Sequence, residues 1–323
     1  MWKGLAAGGA AGLAALAAAN ALAARDRKEP ETGALGGEAG AYPWAHGQVF
    51  YRHAGPEHAP PVLFLHAVGP GARSFMWRRN FEPLARSARA YALDLLGFGY
   101  SDKPANAPYS ADLYVALVRD FLRDVVGRPA IVVAHSLSAA YAVRAAEEEP
   151  GLVGSLVLVS PTGAGDTGAR PGMTGAAFYG LLHSPVLGTS FYNAVTSERG
   201  LRDYARQQLF YEKRFATPRL VAHYYAVSHL PGAQYAATAY LSGYLNADIR
   251  GPFARLRQPA TLVWGRQDVS NPVERAGQLL RLNPRARLEL FDRCRLMPQE
   301  EHAERFNALL LDELRARAPG RGE

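Results

Sequence analysis

Ser136 stands where the apolar run IVVA, residues 131–134, gives way to the alanine-rich LSAAYAVRAAE of residues 137–147. The first segment predicts a buried strand and the second a helix, with the serine at the corner between them. A serine on so tight a turn has its hydroxyl pushed out beyond the sheet edge, and the next backbone N–H points into the same space. That arrangement suits nucleophilic attack on an acyl group. Helix and strand pass close at such a corner, so small side chains are needed two residues either side of the serine. Ala134 and Ser138 meet that need, although the usual signature, Gly-x-Ser-x-Gly, has glycine at both places. The plain alternative is that Ser136 is only a small residue in a βα turn.

Length and composition bound the remaining choices. A chain of 323 residues, 48% of them hydrophobic, can bury the core of one large α/β domain with an insertion. The formal net charge is +7, but the arginines are scattered among alanines rather than gathered in a stripe or tail. This argues against nucleic acid as a partner and leaves an anionic membrane surface as a secondary attraction. Cys294 is the single cysteine, so no intramolecular disulfide or thiolate metal cluster is available, and a small buried residue is expected there. With no GxxxxGK and no paired CxxC, neither a cofactor nor a metal is expected.

Residues 4–24 carry no charge and are mostly Ala and Gly. As a helix they would just cross a bilayer's hydrocarbon core. Three readings stay open: a membrane anchor, a signal peptide cleaved near Ala23, and an Ala-rich helix in water. Arg25, Arg27 and Lys28 follow the run, which weakly favours a cytoplasmic body. The expectation is a membrane-associated protein of uncertain orientation, with an exported form as the other outcome. Residues 25–41 read as a polar, glycine-rich linker.

From Tyr42 an antiparallel hairpin is expected, followed by apolar strands at residues 61–66, 88–94, 131–134, 155–159, 260–264 and 287–291. Helices are expected at residues 74–86, 109–126 and 301–317. Strands alternating with helices imply a mostly parallel sheet that takes ligands beyond the strands' carboxyl ends. The core should therefore span residues 42–160 and 252–323. Between them, residues 161–251 lose the strand pattern, and segments 198–211 and 217–230 read as helices rich in Tyr, Phe and His. A helical lid over the ligand-binding edge is expected there, its aromatics either packing or lining an apolar pocket.

Taken together, these landmarks resemble the α/β-hydrolase family over about residues 42–315. The resemblance is carried by His66-Ala67-Val68 after the first parallel strand, by Asp94-Leu95-Leu96-Gly97-Phe98-Gly99-Tyr100-Ser101 after the second, by the serine corner, and by Trp264-Gly265-Arg266-Gln267-Asp268. It implies Ser136 as nucleophile, backbone N–H groups of Val68 and Leu137 as the oxyanion hole, and Asp268 as the acid that orients the catalytic histidine. Ala67 stands where the family usually has glycine. After the last strand the family reads Gly-His-x-Pro-x-x-Glu, and here the text is Arg295-Leu296-Met297-Pro298-Gln299-Glu300. Leu296 occupies the histidine's place, and leucine cannot accept a proton.

His302, near the start of the last helix, is one candidate substitute base. His183, His223 and His229 in the inserted region are others, whereas His135 should point away from the nucleophile and His66 should brace the oxyanion loop. The resemblance thus implies a serine-dependent hydrolase of ester-like, apolar substrates with a degenerate triad. Its rival is a non-catalytic protein that keeps the pocket for a small lipid-like ligand.

Overall fold

In the computed structural model, residues 12–22, 35–165 and 172–317 are described. The first described element, α1, is the helix of residues 12–22. Strands β1 (Glu38–Trp44) and β2 (Gly47–Ala54) form the expected hairpin, and β1 begins inside the stretch read as linker. Ladder hydrogen bonds come from the backbone, so the small residues of EAGAYPW do not prevent pairing, and Glu38 lies opposite His53.

The chain continues through β3 (Pro61–Leu65), a 3-10 turn (Ser74–Trp77), α2 (Phe81–Ala85), β4 (Arg89–Leu93), α3 (Ala111–Phe121), β5 (Ala130–His135), α4 (Leu137–Glu148) and β6 (Val153–Val159). Helices α5 (Met173–Leu182), α6 (Leu187–Val195), α7 (Glu198–Tyr204), α8 (Pro218–Ser228) and α9 (Ala233–Leu241) follow before α10 (Arg250–Arg255) and β7 (Ala260–Gly265). The last elements are α11 (Glu274–Leu282), β8 (Arg287–Phe291), α12 (Pro298–Glu301) and α13 (Ala303–Arg315).

These strands make one eight-stranded sheet in the order β1-β2-β4-β3-β5-β6-β7-β8. The pairs β1/β2 and β2/β4 are antiparallel and the others parallel. Alternate side chains of the central strands enter two different cores: Leu63, Leu65, Val132, Ala134, Leu156 and Leu158 pack on one face, and Val62, Phe64, Ile131, Val133, Val157 and Val159 on the other. A strand covered on both faces needs apolar residues at every position, which is why these segments read as continuous runs. Between β3 and β5 the strand order reverses. The carboxyl ends of those two strands therefore flank a crevice, where such sheets hold ligands.

The membrane anchor, and with it the membrane partner and membrane-associated location, has to be withdrawn: among the described residues no helix is long and apolar enough to cross a membrane. The described part of α1, residues 12–22, covers about 16 Å of helix. Its Asn20 is also committed to protein, donating to the Val186 carbonyl and Ser190 Oγ, each at 3.1 Å. A cleavage point near Ala23 lies outside the described residues.

Candidate active site

Ser136 has φ 55° and ψ −119°, a conformation that side-chain-bearing residues rarely adopt. Two contacts enforce it. Its N–H donates to Val159 O at 2.8 Å, and α4 starts at the next residue. Ala134 and Ser138 are fully buried where strand and helix converge. Ser138 uses its extra oxygen: Oγ donates to His66 O at 2.5 Å, bonding the start of α4 to the end of β3. His66, in turn, accepts Leu95 N–H at Nε2 (2.9 Å) and donates from Nδ1 to Ala67 O (2.6 Å), so it braces the loop as expected.

Beyond His66 the loop runs through Ala67 and Val68 to a glycine-rich turn. Ala67 N–H is taken by Met76 Sδ at 3.1 Å. The N–H groups of Val68 and of Leu137, the first residue of α4, have no acceptor among the described residues. At Gly71 (φ +73°) a Cβ would lie 2.7 Å from Tyr224 O, so α8 of the inserted helices presses directly on this turn.

Asp268 is buried at the loop after β7. Its Oδ2 accepts Ser160 Oγ at 2.6 Å, and Oδ1 accepts the N–H groups of Ser270 and Asn271 at 2.9 and 3.0 Å. Burial raises its carboxyl above the usual range, and these donors oppose the rise. Ser160, with φ 44°, directly follows β6, the neighbour of the nucleophile's strand; the sequence reading missed it. Its position as a small hydroxyl residue at a strand's carboxyl end was the available signal.

The backbone around residue 296 is held tightly. Gln267 N–H donates to Cys294 O (3.0 Å), Cys294 N–H to Gln267 Oε1 (3.1 Å), and Arg295 N–H to Glu301 Oε2 (3.1 Å). A Cβ on Gly265 would lie 2.0 Å from Arg295 O, so only glycine lets this loop lie against the end of β7. Leu296 O accepts a 2.8 Å hydrogen bond from His135 Nε2, which ties the loop to the residue preceding Ser136. The side chain that follows is an alkyl group, 6% exposed. Cys294 is fully buried, and burial pushes its thiol up, away from the thiolate a nucleophile needs.

The candidate bases are engaged with other partners. His302 caps α13, and its Nε2 faces Arg293 O at 3.4 Å; it lines a cleft of about 590 Å³ with Arg79, Arg214, Phe215 and Arg305, not with Ser136 or Asp268. His229 stacks on Tyr225 at 4.1 Å and bonds to its carbonyl at 2.8 Å. His183 is exposed and bonds to Tyr179 O at 3.2 Å. His223 is buried against Phe75, ring centroids 3.8 Å apart. None of the four is hydrogen-bonded to Ser136 or Asp268. Among the described residues no His/Cys/Asp/Glu group that could hold a metal occurs.

His135 has a consequence for stability. Burial lowers its pKa to about 4, against about 6.5 in the unfolded chain. Between those values the unfolded chain binds the proton and the folded chain does not, so stability rises with pH across the window and is lost on acidification. The expected share of His135 is about 3 kcal/mol between pH 7 and pH 4. Urea unfolding at the two pH values should show a smaller loss for His135→Gln than for the wild type.

An eight-stranded, mostly parallel sheet with a strained serine after its central strand, free N–H groups beside it and a buried acid two strands away defines the α/β-hydrolase class. The chain belongs to the alpha/beta hydrolase family, whose model matches residues 62–309. It is 29% identical over 276 residues, 82% of this chain and 91% of the relative, to 2-hydroxy-6-oxononadienedioate/2-hydroxy-6-oxononatrienedioate hydrolase 2 of Pseudomonas putida. With 2-hydroxymuconate semialdehyde hydrolase of Pseudomonas sp. (strain CF600) it shares 28% identity over 254 residues, 78% of this chain and 86% of the relative. Among solved structures, it superposes on a serine hydrolase involved in carbazole degradation with a TM-score of 0.71 at 22% identity, covering 87% of this chain and 99% of that one.

Proposed function

We propose that the protein is a serine-dependent hydrolase of small, mainly apolar carbonyl compounds, with Ser136 attacking the carbonyl carbon. The N–H groups of Val68 and Leu137 hold the oxyanion, each worth about 2.7–4 kcal/mol in the transition state. Asp268 is the triad acid, and the inserted helices serve as a lid. The observation that carries this reading is the backbone of Ser136. A side chain in that conformation costs about 1–3 kcal/mol, a strain that persists only where the surroundings enforce it and that clusters at functional sites.

The electrophile is an ester or an activated ketone. Relatives named as hydrolases of oxo-dienedioates and of a muconate semialdehyde support including the ketone. With leucine at 296, the Oγ proton must pass to solvent or to the leaving group, so turnover is slow and good leaving groups are preferred. The test is fluorophosphonate labelling of the wild type and of Ser136→Ala. Labelling that requires Ser136 is expected; a folded wild type that does not react would reject the reading. Leu296 itself favours a second reading, a ligand-binding protein that keeps the pocket without turnover.

A further inference from the structure

Helix α6 leaves apolar surface in water where a solvent-facing helix normally carries polar residues. Leu187, Phe191 and Val195 recur at every fourth position, which lines them up as one stripe along the helix. They are 43%, 41% and 38% exposed. Both flanks of the stripe are engaged. At about 100° of turn per residue, Tyr192 lies on one flank and Ser190 on the other. Tyr192 is buried and its Oη donates to Ser228 O of α8 at 2.8 Å, while Ser190 Oγ meets Asn20 of α1 at 3.1 Å. The stripe between them is the face that α6 has left over.

The same character continues on the helices beside it. Phe178 of α5 meets Phe191 edge-on, ring centroids 6.1 Å apart, and Leu181 follows one turn later. On α1, Leu16 and Leu13 stand four and seven residues before Asn20, on the face turned towards α6, and are exposed as well. Of the twelve large apolar residues exposed among the described residues, nine belong to α1, α5 and α6. With about 200 Å² to each large side chain and 37–91% of it exposed, the nine leave on the order of 800 Å² in water, the area that one partner of a stable protein interface buries. The largest apolar patch on a typical monomer is about 300–600 Å².

Charge selects the occupant. Residues 12–22, 173–182 and 187–195 contain no Asp, Glu, Lys, Arg or His, in a chain of formal net charge +7. Two copies repel each other wherever their arginines approach, and this face lets them meet without that repulsion. A lipid surface gathers helices whose apolar face is edged by Lys and Arg, and these three have neither. We infer that the face binds a second copy of this chain, in a two-fold contact that sets the α6 stripe of one protomer against that of its partner, with α5 and α1 at the sides. In such a contact the same patch serves both protomers, so one apolar face suffices.

The test is sedimentation velocity of the full chain over a micromolar dilution series, with circular dichroism to confine the comparison to folded variants. The wild type is expected to be a dimer at the upper end and to dissociate on dilution. Phe191→Glu, and separately Leu187→Glu, should raise the dissociation constant by about 30-fold or more, as loss of an interface anchor does. Tyr211→Glu, at an exposed aromatic residue on none of these helices, should leave it unchanged. If neither α6 variant folds, Leu181→Glu on α5, half exposed, takes their place. A wild type that is monomeric throughout overturns the inference, as does a dimer indifferent to the substitutions on the patch or weakened equally by Tyr211→Glu. A monomer that floats with phosphatidylcholine–phosphatidylglycerol vesicles, and ceases to do so in Phe191→Glu, overturns it too and assigns the face to lipid.

Discussion

Leu296→His is expected to raise hydrolysis of 4-nitrophenyl butyrate by about 10³-fold or more. In serine hydrolases, loss of the histidine costs on the order of 10⁶ in turnover, so a base returned to an intact frame recovers a large part of that factor. The backbone at residue 296 is held in place. Residue 296 is fixed through Arg295 N–H on Glu301, through its own carbonyl on His135, and through the close fit of Arg295 O against Gly265. Histidine and leucine are similar in volume, so the packing cost is small. kcat/KM for the wild type, Leu296→His and the size control Leu296→Asn is the measurement. No gain in folded Leu296→His would mean that Ser136 and Asp268 are not aligned for a shared imidazole.

Asp268→Asn is expected to behave oppositely in two backgrounds. With histidine at 296 it should remove about 10⁴ of the recovered rate, because the carboxylate holds the imidazole in the working tautomer and stabilises its cation. With Leu296 there is no imidazole to orient, and the same substitution should leave the residual rate within a few fold. The two effects fail to add, and that failure is the signature of a carboxylate acting through residue 296. Equal losses in both backgrounds would place Asp268 in a purely structural role, held by Ser160, Ser270 and Asn271.

What the sequence made legible was whatever local patterning controls. Runs such as PVLFL and ATLVWG mark strands covered on both faces, and each lies within a residue or so of its expected place. The serine corner was legible because its small neighbours sit at fixed offsets, and the leucine at the position where the family has histidine because Pro298 and the acidic residues after it keep the pattern. Tertiary demands account for the rest. The helix expected over residues 74–86 breaks into a 3-10 turn and α2, since buried Asn80 turns its amide to Gln299 O (3.1 Å) and Asn307 Oδ1 (2.8 Å), more than 200 residues away. The Ala-rich amino-terminal segment suggests a bilayer by composition alone, and only the fold reveals what Asn20 touches.

Ser138 stands where related corners carry glycine, and the hydroxyl it adds bridges α4 and the loop after β3. One proposed oxyanion donor belongs to the helix that contains Ser138, the other to the loop that His66 begins, and the 2.5 Å bond between those residues joins the two halves mechanically. The bond is expected to make the two donors move together, so that the gap between them varies less than the position of either. A pair of N–H groups held at constant separation has a preferred width of oxygen acceptor, so a side chain two positions from the nucleophile sets a tolerance that the nucleophile itself cannot.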